Sequence, residues 1–150
     1  MRTIYLSIVR RIVLFVFLIV ILPNQGRPGS YNRYSNLGYC TDTSTCLHEI
    51  GHAIDDKSGR ISQSEDFKLA VAIYLNTADL SEWRSARLYN QITYTLFTTK
   101  QNPMAEVYAW FFAYSGGNLD NLPSIIRPFF DQSLVRECLK QNGNHIMWFL

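Results

Sequence analysis

Thr45 to Asp56 reads Thr-Cys-Leu-His-Glu-Ile-Gly-His-Ala-Ile-Asp-Asp, and the spacing of its apolar residues decides what surrounds it. Leu47, Ile50, Ala53 and Ile54 fall on one face at helical period, which predicts a helix over Thr45 to Asp56. Thr43, Ser44 and Thr45 offer capping hydroxyls at its start, and Lys57-Ser58-Gly59 stops it. On such a helix His48 and His52, four residues apart, present two imidazoles about 6 Å from each other, so both can reach one tetrahedral metal ion. Glu49 is rotated off the ligand direction but stays near the ion, where a carboxylate can take a proton from water. Gly51 costs roughly 1 kcal/mol relative to Ala inside a helix, so a close approach by another segment is expected behind it.

Helical patterning continues outward from this segment. A second helix is predicted over Ser64 to Thr77, with Phe67, Leu69, Ala70, Ala72, Ile73 and Leu75 as its apolar stripe, and a third around Ser81 to Asn90. Gln91 to Lys100 is rich in Thr and Tyr and reads as an extended loop or short strand. Asn102-Pro103 suits the N-cap and first position of a fourth helix, which Gly116-Gly117 close. A last helix is expected within Pro123 to Gln141, interrupted near Pro128 and ended by Asn142-Gly143. Before the histidines, Arg27 to Thr45 reads as loop with one short strand around Tyr39.

A catalytic zinc takes three protein ligands and keeps one position open. Glu106 is the candidate third ligand, because it opens a separate helix whose next residues, Val107 to Phe112, are apolar enough to be buried against the first. It equally suits a first-turn carboxylate favoured by the helix dipole. His145 stands in a polar tail after Gly143 and is the poorer candidate.

With 150 residues, a 47% hydrophobic content and 14% aromatics, the chain can build one core, which excludes disorder. A net charge of +2, with Arg2, Arg10 and Arg11 at the extreme N-terminus, gives no basic patch and argues against nucleic acid as partner. Ile12 to Leu22, IVLFVFLIVIL, follows those arginines as the apolar region of a secretory signal follows its basic one. Residues 1–26 are therefore read as a signal peptide and 27–150 as the mature domain. Because Pro23-Asn24-Gln25-Gly26 lacks a clean pair of small residues, retention as a signal anchor is the alternative, and the one case in which stable membrane association is expected. Cys40, Cys46 and Cys138 allow at most one intramolecular disulfide, with three pairings open, or buried thiols.

The segments LHEIGHAIDD and, about fifty residues on, NPMAEVYAWFFAY resemble the catalytic domain of the anthrax lethal factor family, which includes secreted Pro-Pro endopeptidases. The resemblance spans Cys46 to Gly117. It implies one zinc ion on His48, His52 and Glu106, with Glu49 as catalytic base. Three departures stand out. Trp110 occupies the position where the family often has a second Glu one turn after the ligand, and Thr99 the position of a tyrosine suited to an oxyanion, Tyr94 being the nearest upstream tyrosine. The sheet that such zincins build before the active helix has only about twenty mature residues here, so it must be reduced or absent.

The expectation is thus a mainly α, zincin-like single domain acting as a secreted zinc metalloendopeptidase on protein or peptide substrates. The competing expectation is a non-enzymatic secreted binding or toxin-like relative that keeps the metal site.

Overall fold

The computed structural model describes residues 20–23, 29–32, 34 and 37–146. Three short strands, β1 (Val20–Pro23), β2 (Ser30–Asn32) and β3 (Leu37–Cys40), precede five helices: α1 (Thr43–Lys57), α2 (Glu65–Thr77), α3 (Trp83–Thr98), α4 (Pro103–Tyr114) and α5 (Gln132–Ile146). The fold is mainly helical, with one continuous core, and the sheet is reduced to order β1-β3-β2. β3 runs parallel to β1 and antiparallel to β2. The strand expected around Tyr39 is therefore present and has two neighbours.

The signal reading over residues 1–26 lies for the most part outside the described residues. Its described part, Val20–Pro23, is β1, so cleavage after Gly26 would leave β3 paired with β2 alone. Among the described residues no helix is long and apolar enough to cross a membrane.

Helix α1 is the hub. Its N-cap is Asp42, whose carboxylate accepts from the Thr45 amide at 3.0 Å and from the Thr45 hydroxyl at 2.7 Å. The cap thus comes from the residue before the expected hydroxyls, an Asp being a strong acceptor for the unsatisfied first-turn amides. Ile50, Ala53 and Ile54 are fully buried, mostly against α4, where Val107, Tyr108, Phe111 and Phe112 are also fully buried. The two helices touch at Gly51, where a Cβ would lie 2.7 Å from the Ala109 Cα. This is the close approach that the glycine implied. We expect Gly51→Ala to destabilise the fold by about 1–3 kcal/mol in urea unfolding, because backbone cannot rotate away and overpacking outweighs the helix-propensity gain of roughly 1 kcal/mol.

Several boundaries differ from expectation. α2 is capped by Ser64, which accepts from the Phe67 amide at 3.2 Å, but its buried face is Phe67, Ala70, Val71 and Tyr74. Leu69 and Ile73 point outward and are exposed, since Tyr74 and Val71 claim the side towards Phe111. Gln91 to Thr98 is neither loop nor strand but the second half of α3. Leu88, Ile92 and Thr95 are buried at i, i+4 and i+7, and that packing overrides the β preference of the Thr and Tyr residues. α4 begins at Pro103 as expected, yet Asn102 adopts a left-handed conformation (φ 49°) and makes no side-chain cap. Gly116 and Gly117, both at positive φ, follow its end. Pro128 lies in an isolated 3-10 turn, and α5 runs through Asn142-Gly143 to Ile146 instead of stopping there.

Of the three pairings left open, Cys40 and Cys46 form the disulfide, with Cα atoms 5.0 Å apart, tying the end of β3 to the first turn of α1. Cys138 stays a thiol, and burial raises its pKa to about 11. Thiol titration at pH 8 is accordingly expected to find almost none in the native protein and one per chain in denaturant. Two or more reactive thiols in denaturant would remove the disulfide.

Candidate metal centre

The spacing of the two histidines on α1 does place both rings on one side. Their Nε2 atoms are 3.1 Å apart. From the facing helix α4, Glu106 brings Oε2 to 3.0 Å from His48 Nε2 and Oε1 to 3.3 Å from His52 Nε2. The ligand atoms of all three residues lie within 4.8 Å of one another, close enough to hold a metal ion.

The donor set suits a cation on its own geometry. Donors around a tetrahedral zinc at ~2.0–2.1 Å sit roughly 3.3 Å from each other; the two Nε2 atoms are 3.1 Å apart, and each meets a different Glu106 oxygen, at 3.0 and 3.3 Å, so the carboxylate straddles the pair. Two imidazole nitrogens and a carboxylate converging in a partly buried corner concentrate lone pairs, which a proton or a metal ion must share. Glu106 is thus placed with the histidines across the helix crossing, and a lone contact with its own helix dipole does not describe it.

Electrostatics follow from the same packing. Burial pulls the His48 imidazole below its usual pKa, against the opposing hydrogen bond it makes to Glu106, and so favours the neutral ring that a metal requires. For His52 burial acts in the same direction, but the Glu106 hydrogen bond, with the charges of Glu106, Glu49 and Asp55, brings it above its usual value. Hydrogen bonds from the two histidines hold the Glu106 carboxyl far below the ordinary range. Glu49 is only 4% exposed, and burial raises its carboxyl to about 7, with attraction to His52 opposing and repulsion from Glu106 adding.

Two residues weighed from sequence, Tyr94 and Thr99, do not join the cluster. Tyr94 is 65% exposed on α3, and among the described contacts none links it to the histidines; Thr99 caps the end of that helix. His145 falls within α5.

Three neighbours were not anticipated. The Trp110 ring lies 4.2 Å from the His48 ring. Asp55, buried one turn beyond His52, accepts from the Ser62 amide at 2.9 Å and hydroxyl at 2.6 Å, fixing the turn through Gly59 and Arg60, both at positive φ. Its position on the stripe His48, His52, Asp55 was the available signal. Gly29 packs on Glu49 from the strand side, where a Cβ would lie 2.5 Å from Oε1; nothing in the local sequence marks that long-range contact.

Comparison with protein-family models, with characterised proteins and with solved structures finds no significant match.

Proposed function

We propose that this chain is a secreted zinc metalloendopeptidase of the lethal factor type, with His48, His52 and Glu106 as zinc ligands and Glu49 as general base. The observation that carries the reading is a buried carboxylate, Glu49, adjoining three convergent metal donors supplied by two helices. A site that only stabilised the fold would have no use for it.

Bound there, zinc would act as a Lewis acid on water and on the scissile carbonyl. The chain's own residues supply the rest. His48 and His52 offer Nε2, and Glu106 its carboxylate, from opposite sides of the α1–α4 crossing. Glu49 accepts a proton from the attacking water on a carboxylate oxygen and returns it to the departing amine nitrogen.

One observation favours a second reading, a non-enzymatic secreted metal-binding protein. Glu49 is only 4% exposed and Gly29 packs against its carboxylate, a tight cover for a group that has to meet water. Metal analysis of the purified mature protein, followed by a peptide-library cleavage assay, separates the two. One zinc per chain with cleavage supports the peptidase; one zinc with no cleavage of any peptide supports the second reading; no bound metal overturns both.

A further inference from the structure

A histidine that ligates a metal through Nε2 ordinarily donates its Nδ1 hydrogen to a carboxylate, carbonyl or water, and that bond fixes the ring. His48 has none: its Nδ1 is buried and has no hydrogen-bond partner among the described residues, in a residue only 8% exposed. What touches the ring instead is aromatic. The Trp110 indole lies at 4.2 Å with the planes at 45°, and the His52 imidazole meets it edge-on at 4.7 Å. Trp110 is itself backed by Tyr114, ring to ring at 6.0 Å, one turn further along α4.

We propose that Trp110 is the positioning residue for His48, holding the imidazole by ring contact where a hydrogen bond would otherwise do so. Trp110 stands one turn after Glu106, so a single helix delivers both a ligand and the wall that aims another ligand at it. The indole beside the ring limits partial rotation of His48 about its Cβ–Cγ bond and so keeps the ring plane in which Nε2 faces Glu106. Packing of this kind restricts the ring sterically and leaves Nδ1 without a proton acceptor. The inference rests on the metal-site reading above.

The test uses the full chain with Trp110→Ala, Trp110→Leu and Trp110→Phe, measuring zinc affinity by chelator competition and the visible absorption of the cobalt-substituted protein. Trp110→Ala is expected to weaken zinc by about 10- to 100-fold, the loss typical of removing a ligand's orienting neighbour, and to change the cobalt bands. Trp110→Phe, which restores a flat ring, should recover most of both. Trp110→Leu keeps apolar bulk without the ring and should behave like Ala; it decides the matter if the Ala variant does not fold. Wild-type affinity and an unchanged cobalt spectrum in the Leu variant would overturn the proposal while leaving the metal site intact. A wild-type protein that takes up no zinc would overturn the metal reading, and this inference with it.

Discussion

Glu49→Gln is expected to retain one zinc per chain and full helix content while peptidase turnover falls by about 10²- to 10⁴-fold, the usual share of a general base. The amide has nearly the carboxylate's shape, so the buried slot between α1 and Gly29 stays filled. It cannot accept the proton from water. The measurement is kcat and KM on any peptide found by library cleavage: loss confined to kcat assigns proton transfer to Glu49, whereas an unchanged kcat removes it from the mechanism. The substitution also relieves burial of an ionisable group, so thermal stability should hold or rise slightly.

The second large effect concerns the ligands. His48→Ala and His52→Ala each remove one of three protein donors and are expected to abolish stoichiometric zinc binding, since two donors do not retain a catalytic ion. Glu106→Gln is the more discriminating change. It keeps the α4 packing but replaces an anionic ligand by a neutral amide, so zinc affinity and activity should fall together with helix content unchanged. A carboxylate serving only the helix dipole would cost about 0.3–1 kcal/mol of stability and leave metal binding alone. Titration of the three variants with zinc under one chelator buffer distinguishes these outcomes, and wild-type affinity in Glu106→Gln would move the third ligand elsewhere.

What could be read from sequence was local and periodic. Leu47, Ile50, Ala53 and Ile54 repeat every three to four residues, and all four are buried on α1. The i, i+4 histidines converge because helix geometry alone brings them together. Gly51 revealed a crossing because its helical cost demanded a compensating contact, and Ala109 supplies it. Glu106 could be nominated through the character of its helix and through the resemblance carried by its segment, because a partner 58 residues away in the chain leaves no local trace. The extension of α3 through Tyr94 and Thr98 was missed because side-chain preference there opposes the tertiary packing of Ile92 and Thr95. Trp110 looked like the loss of a polar neighbour; only its placement against the His48 ring gives it a part in the site.

The separation of His48 from Glu106 has a consequence for how the chain reaches its native state. An ion held by both would close a circuit of backbone containing α2 and α3, much as a covalent bridge between those positions would. By the chain-entropy relation, a closure spanning 58 residues takes about 4 kcal/mol of freedom from the unfolded ensemble. Without the ion, the apolar contact of α1 with α4 has to bring these distant segments together unaided. Loading would then disfavour global opening of the whole chain, the two enclosed helices included, so the centre would stabilise parts of the molecule that never touch it.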